Sequence, residues 1–214
     1  MRHRAIVILF VAGFVLLGIG VIVLTLMLRN QASEEVTPRL FETPEFTLTN
    51  CNGEQITKES LLGKVWLVDF IFTRCPGPCP LMTQTMKSLQ TRLQRESGIE
   101  DCNVTLLSIS VDPAYDSPEV LLDYAQRAGA DLDNWYFLTG PEGDTQSLIR
   151  GGFKIAVTRD EDSGLVPPIV HGTNFLLVDG SGWVRRILNI QDDRFLEDAV
   201  DSINDLCQEN TARP

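Results

Sequence analysis

The longest apolar stretch of the chain is the uncharged run at residues 5–28. A helix of this length, at about 1.5 Å per residue, spans the roughly 30 Å hydrocarbon core of a bilayer. The alternative is a cleaved signal peptide, but its apolar region is usually shorter and ends in a small-residue site, which this chain lacks. The pattern predicts one uncleaved transmembrane anchor at 5–28, preceded by a cytoplasmic N-terminus at 1–4.

A second apolar run, Val65–Phe72, is rich in β-branched and aromatic residues, which predicts a buried strand. From about Pro80, apolar side chains recur with the period of an amphipathic helix that is predicted to end near Gly98. These positions are Leu81, Met82, Met86, Leu89 and Leu93. Met82 and Met86 lie on the apolar face, so core packing is expected for them rather than metal binding.

Strands and helices then alternate along the chain. Apolar runs predict strands at 104–112 and 134–140. Between them, Ser117-Pro118 predicts the start of a helix that ends at Gly129, because serine caps helices and proline suits their first turn. A shorter helix is predicted at 141–152. This order predicts a parallel sheet with helices on both faces.

Antiparallel elements are predicted on either side of this pattern. Asn52-Gly53 favours a tight hairpin within 46–56, and a second hairpin is predicted at 173–188. A closing helix is expected at 194–207, and a protruding hairpin or long loop at 153–169.

Together these elements predict a thioredoxin-like α/β fold, with a central mixed sheet flanked by helices. This prediction rests on a parallel unit that is followed by an antiparallel hairpin and a helix. It rests also on the two cysteines that follow the first core strand. The predicted domain covers 45–207. A polar linker at 29–44 joins it to the anchor, and a tail follows at 208–214.

Charge is distributed unevenly along the chain. The chain has 18 basic and 29 acidic residues, and residues 1–31 hold three of the basic ones and none of the acidic ones. The remainder, with 15 basic against 29 acidic residues, carries a formal charge of −14. Nucleic acid and anionic lipid are poor partners for it, because phosphate neutralisation needs clustered Lys and Arg. A basic protein partner or a cationic cargo is expected instead.

The residues that flank the predicted anchor indicate its orientation. Arg2 and Arg4 precede it, whereas Glu34 and Glu35 follow it. By the positive-inside rule the N-terminus lies in the cytoplasm, and the domain faces the outside of the membrane. No mitochondrial targeting region is recognisable, which favours a bacterial cytoplasmic (inner) membrane with the domain in the periplasm or at the cell exterior.

Two of the five cysteines, Cys75 and Cys79, lie where the Val65–Phe72 strand meets the following helix. Prolines at 76, 78 and 80 fix the backbone there, which predicts a stiff turn. A helix start carries a partial positive charge, so a cysteine there is expected to tend towards the thiolate, the form that binds soft metals and attacks disulfides.

The other three cysteines, Cys51, Cys102 and Cys207, have no motif spacing. Disulfides are common in exported domains, but an odd number of cysteines leaves at least one outside them. For each of the three, a buried or incidental thiol is the expectation, with a structural bridge as the alternative.

His171 is the one histidine outside the first four residues, and it is predicted to lie in a loop before the second hairpin. In a thioredoxin-like fold that loop faces the cysteine turn. Two sulfurs and an imidazole suit Cu(I) and can hold Cu(II), whereas structural zinc and iron–sulfur clusters require four protein ligands. A redox-active dithiol, a plain disulfide and a structural histidine remain alternatives, although the CxxxC spacing departs from the CxxC of disulfide-exchange catalysts.

Three sequence blocks, FIFTRCPGPCPLMT, SISVDP and VHGTNFLLVD, resemble the Sco/SenC family of membrane-anchored, thioredoxin-like copper proteins. The resemblance covers about residues 43–205. It implies that Cys75, Cys79 and His171 hold one copper ion per chain. Gly172 departs from the hydroxyl residue that many members carry after the histidine, and the 153–169 segment matches a family insertion where partner contacts are plausible.

The resemblance also implies a function and partners. It implies a metallochaperone that passes copper to the dinuclear copper centre of cytochrome c oxidase subunit II, or to a related copper protein. An upstream copper donor and a thiol reductant are further implied partners. Family members are also discussed as thiol-disulfide reductases that prepare the cysteines of that centre.

Two aspartates near the predicted site are candidates for supporting roles. Asp69 interrupts the apolar strand and resembles the buried aspartate that assists proton transfer in thioredoxins, with a raised pKa expected from burial. The alternative is a carboxylate hydrogen-bonded to backbone or near solvent. Asp112 either supports the metal site as a neighbour or forms a turn before Pro113, and the turn is the preferred interpretation.

Other functions compete with the metallochaperone hypothesis. In a thiol-disulfide oxidoreductase, Cys75 attacks a partner disulfide and Cys79 resolves the mixed disulfide, and no histidine is needed. A peroxiredoxin-like peroxidase is disfavoured, because Thr73 lies two residues before Cys75 instead of the usual three. A copper or redox sensor needs a signalling partner that nothing in the sequence identifies.

Overall fold

The computed structural model of the chain describes residues 18, 20, 38–96, 99, 102–159 and 169–211, without the side chains of 159 and 169–171. The predicted N-terminus at 1–4 and almost all of the predicted anchor at 5–28 lie outside these residues. Among the described residues, no helix has the length and apolar character needed to cross a bilayer.

Residues 39–214 form one compact unit, separate from residues 1–38. Its described strands are β1 Phe41–Glu42, β2 Thr47–Asn50, β3 Gln55–Thr57, β4 Val65–Ile71, β5 Val104–Ser110, β6 Trp135–Thr139, β7 Val157–Arg159, β8 Ile169–His171, β9 Asn174–Val178 and β10 Trp183–Asn189. Its described helices are α1 Lys58–Leu61, α2 Cys79–Leu93, α3 Pro118–Ala128, α4 Glu142–Ser147 and α5 Phe195–Thr211, and a π-helical turn follows α4 at Leu148–Gly152.

Eight of the described strands form one mixed sheet in the order β1-β10-β9-β4-β5-β6-β2-β3. Strand β4 is central, and all seven of its residues are buried. It pairs in parallel with β5, which pairs in parallel with β6, and on its other side β4 pairs antiparallel with β9. The predicted parallel unit and both predicted antiparallel hairpins are therefore confirmed.

The helices that flank the central strands begin and end as their sequences indicate. The Ser117 hydroxyl accepts a hydrogen bond from the Val120 amide at the start of α3, and Gly129 ends the helix with φ of +65°. Helix α2 buries Met82 and Met86, which confirms their predicted packing in the core. It ends at Leu93, earlier than the predicted end near Gly98.

Long-range pairing extends the domain beyond its predicted boundaries. Strand β1 lies within the stretch predicted as linker (29–44) and pairs with β10. At the other end, α5 continues past 207 to Thr211. The hairpin predicted within 153–169 is formed by β7 and β8, whose strands lie further along the chain than predicted and make a separate two-stranded sheet.

The prediction of incidental thiols is wrong for two cysteines. Cys102 and Cys207 form a disulfide between chain positions 105 residues apart, with 5.6 Å between their Cα atoms. It ties the segment before β5 to helix α5. Cys51, by contrast, is a buried thiol as predicted, and burial raises its pKa.

Candidate metal site

The predicted site begins with the turn that joins the central strand β4 to helix α2. The Cys75 amide donates a hydrogen bond to the Phe72 carbonyl (3.2 Å), and the Gly77 amide lies 3.4 Å from the Cys75 sulfur as its donor. Cys79 is the first residue of α2. The turn leaves Cys75 half-buried, whereas Cys79 has no exposed surface. One sulfur therefore lies near the surface and the other beneath it.

Cys75 and Cys79 are both thiols in the structure and form no disulfide. The pKa of Cys79 is raised, first because its side chain is hydrogen-bonded to Cys75, and second because it is buried. The negative charges of Cys75 and Asp69 raise it further. The prediction that the helix start favours a thiolate is therefore wrong for Cys79 in this state, since contact with the second sulfur and burial outweigh the helix.

Asp69 lies on β4 with no exposed surface, opposite Ser108 of β5. Its charge raises the pKa of Cys79, so the two groups are close enough to interact electrostatically. The structure thus brings Asp69 to the dithiol and excludes the alternative in which it lies near solvent. The raised pKa expected for Asp69 itself stays a prediction.

Tyr124 of α3 is a neighbour of the dithiol that no sequence pattern predicted. Its hydroxyl lies 2.7 Å from the Thr83 hydroxyl of α2. Burial raises the pKa of Tyr124 to about 12, and the charges of Cys79, Asp69 and Cys75 add to that effect. In the sequence, Tyr124 is one position of an amphipathic helix, and nothing distinguishes it from its neighbours.

Asp112 follows β5 and is almost fully buried, and the structure supports the turn-forming interpretation. Its carbonyl accepts hydrogen bonds from the amides of Tyr115 and Asp116. Its carboxylate accepts a hydrogen bond of 2.7 Å from Arg74, the residue before Cys75, and the Arg74 guanidinium lies 3.8 Å from the Tyr115 ring centroid. Asp112 therefore also contacts the cysteine turn, through Arg74.

His171 is the third predicted ligand, and the structure describes only its backbone. That backbone lies in β8, paired with Val157, and not in the predicted loop. The prediction of a loop at His171 is therefore wrong, because strand pairing with β7 extends to this residue. Among the side chains that the structure describes, which exclude that of His171, no group of three or more His, Cys, Asp or Glu residues is placed to hold a metal ion.

Comparison with known proteins identifies the family. The SCO1/SenC family model matches residues 34–207, which include both cysteines of the turn and His171. The chain belongs to the SCO1/SenC family. The predicted resemblance is therefore confirmed. The SCO1 protein homolog of Bacillus subtilis (strain 168) is 35% identical over 78% of this chain and 83% of its own length. A Stutzerimonas stutzeri protein, provisionally named as copper-binding, is 30% identical over 74% of each chain.

Solved structures of SCO1/SenC proteins share the fold. A SCO1/SenC family lipoprotein from Bacillus anthracis str. Ames is 32% identical, with a TM-score of 0.70 over 78% of this chain and 95% of that one. BsSco, a member of the Sco family of cytochrome c oxidase assembly proteins in which a disulfide switch was identified, is also 32% identical. Its TM-score is 0.69 over 82% of this chain and 99% of its own. The predicted thioredoxin-like α/β fold is confirmed by these likenesses.

Proposed function

We propose that this SCO1/SenC protein is a copper metallochaperone that holds one copper ion, as Cu(I) or Cu(II), between Cys75, Cys79 and His171. The observation that carries the proposal is the mutual contact of two thiols on one stiff turn. Two soft sulfur donors within hydrogen-bonding distance of each other suit Cu(I). An imidazole from the chain segment that ends β8 would complete the donor set.

The arrangement of the two sulfurs supports transfer of the ion as well as its retention. Cys75 is half-buried, so an incoming thiolate or imidazole can reach a copper ion bound there, whereas Cys79 is enclosed. A partner's ligands would then replace those of this chain one at a time. Copper requires both sulfurs as thiolates, so protons compete with the ion. Because the pKa of Cys79 is raised, the affinity for copper should fall as the pH falls.

The proposed recipient is the dinuclear copper centre of cytochrome c oxidase subunit II, or a related copper protein. Two relatives support this: BsSco belongs to a family of cytochrome c oxidase assembly proteins, and the Stutzerimonas stutzeri protein is provisionally a copper-binding one. An upstream copper donor and a thiol reductant would supply the ion and keep Cys75 and Cys79 reduced. The formal charge of −14 outside residues 1–31 disfavours nucleic acid as a partner.

We further propose that residues 5–28 anchor the domain, by a single span, at the outer side of a bacterial cytoplasmic membrane. The length of the apolar run and the charges that flank it support this arrangement. The similar Bacillus anthracis protein is a lipoprotein, which is consistent with work at a membrane surface.

Thiol-disulfide reduction is the second candidate function. The observation in its favour is the unequal exposure of the two sulfurs, because a reachable Cys75 can attack a partner disulfide while the buried Cys79 resolves the product. This activity would need no histidine. His171→Ala therefore separates the two functions.

The test is a copper titration of the reduced full chain in detergent against a competing chelator. Wild type is compared with Cys75→Ser, Cys79→Ser and His171→Ala, and Cys51→Ala is the matched control for loss of a thiol elsewhere. We expect one-to-one binding, weakened more than about 100-fold by each cysteine change, since removal of groups that only support ligands already costs about 10- to 100-fold. Weak copper binding that is unchanged in His171→Ala would contradict the proposed ligand set and favour the reductase.

A further inference from the structure

A second buried carboxylate contacts the cysteine turn and has no role in the function proposed above. Asp116 lies in the loop after β5 and has no exposed surface. Its carboxylate accepts hydrogen bonds from the Thr73 hydroxyl (2.6 Å), the Thr73 amide (3.2 Å) and the Ser110 hydroxyl (2.5 Å). One side chain thus connects the cysteine turn, the end of β5 and the loop that leads to α3.

The position of Thr73 gives these hydrogen bonds their significance. Thr73 comes two residues before Cys75 and directly after Phe72, whose carbonyl accepts the Cys75 amide. Asp116 therefore holds the backbone at the point where β4 ends and the turn begins. It accepts hydrogen bonds from the amide and the hydroxyl of Thr73, so the turn cannot rotate about this residue without breaking a hydrogen bond.

Two hydrogen bonds to a buried carboxylate resist movement of Thr73. Hydrogen bonds to an ionised carboxylate are about twice as strong as neutral ones. A buried carboxylate is unfavourable unless such bonds compensate it, and burial does raise the pKa of Asp116 despite the bonds from Ser110 and Thr73. The neighbouring pair of Arg74 and Asp112 adds a second attachment, but Arg74 is exposed and its ion pair is partly screened by solvent.

We propose that Asp116, through Thr73, is a positioning residue that sets the place of the Cys75 sulfur relative to the Cys79 sulfur. By doing so it controls both the affinity of the pair for copper and the reduction potential of the pair. The effect on copper rests on the proposed function, whereas the effect on the reduction potential does not. Loss of the contact should leave the turn free to adopt other positions, including those in which the two cysteines form a disulfide.

The experiment compares variants that break the contact with variants that keep it. Asp116→Ala removes all three hydrogen bonds, and Thr73→Val removes the bond from the hydroxyl. Asp116→Asn can keep all three contacts if its Oδ1 accepts from the Thr73 amide and the Ser110 hydroxyl while its Nδ2 donates to the Thr73 hydroxyl, and Thr73→Ser keeps the hydroxyl. Ser110→Ala is the control on the β5 side. It removes the hydrogen bond to the same carboxylate, together with the one that the Asp112 amide donates to Ser110, and leaves Thr73 bound.

Two quantities are measured on the full chain in detergent: copper affinity by chelator competition, and the equilibrium of the Cys75/Cys79 pair with glutathione. Asp116→Ala and Thr73→Val should weaken copper binding by about 10- to 100-fold, the range for groups that orient metal ligands. They should also move the glutathione equilibrium about tenfold towards the disulfide, a change of about 30 mV. Asp116→Asn, Thr73→Ser and Ser110→Ala should stay near wild type in both.

The outcomes separate this inference from the proposed function. If wild type binds no copper, the chaperone proposal fails, and the glutathione equilibrium still decides the role of Asp116. If wild type binds copper and Ser110→Ala affects both quantities as much as Thr73→Val does, the contact is merely structural and the inference is wrong. Thr73→Val decides the matter even if Asp116→Ala does not fold, since it leaves the buried carboxylate with two of its three donors.

Discussion

The domain contains two pairs of cysteines, and within each pair the two side chains contact one another. The pairs differ in sequence separation, in oxidation state and in exposure. Cys75 and Cys79 are four positions apart, on a turn between a strand and a helix, and both are thiols. Cys102 and Cys207 are 105 positions apart and form a disulfide, with Cys207 almost fully buried. The first pair leaves one sulfur reachable from solvent, whereas the second closes most of the domain into a loop.

The contrast shows that the surroundings of a cysteine pair determine what the pair does. The thiol pair is held by the turn prolines, the start of α2 and the contacts of Thr73 and Arg74 with the loop after β5. In the proposed function its sulfurs stay reduced and bind an ion. The disulfide joins the segment before β5 to α5, away from those groups in the sequence, and its function is to restrict the unfolded chain. Both chemistries therefore coexist in one domain.

The largest expected effect concerns the disulfide. The double change Cys102→Ala and Cys207→Ala should lower the free energy of unfolding by about 4 kcal/mol, because a bridge over a loop of this length restricts the unfolded chain strongly. Urea unfolding of the variant against wild type and against Cys51→Ala measures this loss. Copper affinity should be unchanged in the folded variant. A loss of copper binding with full stability would reverse the roles assigned to the two pairs.

A smaller effect on stability is expected from pH, and it arises from Tyr124, which lies near the Cys75/Cys79 pair. The pKa of Tyr124 is about 12 in the folded chain, against 10.0 for an ordinary tyrosine. The folded state thus holds this proton more tightly, so the contribution of Tyr124 to stability is complete below pH 10 and is lost as the pH rises towards 12. The loss should be about 3 kcal/mol, because a difference of one in pKa corresponds to about 1.4 kcal/mol.

The measurement for Tyr124 is urea unfolding across that pH range, in wild type and in Tyr124→Phe. The free energy of unfolding of wild type should fall relative to that of Tyr124→Phe as the pH rises, because only wild type has this phenol to ionise. The disulfide does not titrate, so it contributes equally at each pH. Parallel pH profiles for the two proteins would show that Tyr124 does not titrate differently in the folded and unfolded chains.

Local patterns predicted the thiol pair and the core of the fold correctly. Val65–Ile71 is the buried central strand, and the prolines and apolar spacing that follow it place Cys75 and Cys79 at the strand-to-helix turn. Both features depend on residues close in sequence, where periodicity and backbone restriction act directly. The same is true of the Ser117 cap and of Gly129 at the end of α3.

Features that depend on distant residues were missed. The partner of Cys102 lies 105 residues away, and no spacing rule connects them. Nothing in the sequence singled out Asp116, because its contact with Thr73 arises only when β4 and β5 lie side by side. Strand β1 was taken for linker, since two residues carry no periodicity and their pairing with β10 is what defines them. In each case tertiary contact, and not local preference, decides the structure.

The central claim is that copper binds to the thiol pair and not elsewhere, and X-ray absorption at the copper edge of the loaded full chain tests it most directly. The account predicts two sulfur neighbours per copper ion in wild type and in the Cys102→Ala, Cys207→Ala variant, and one in Cys75→Ser. A copper ion without sulfur neighbours, or a sulfur count that falls when Cys102 and Cys207 are replaced, would contradict it.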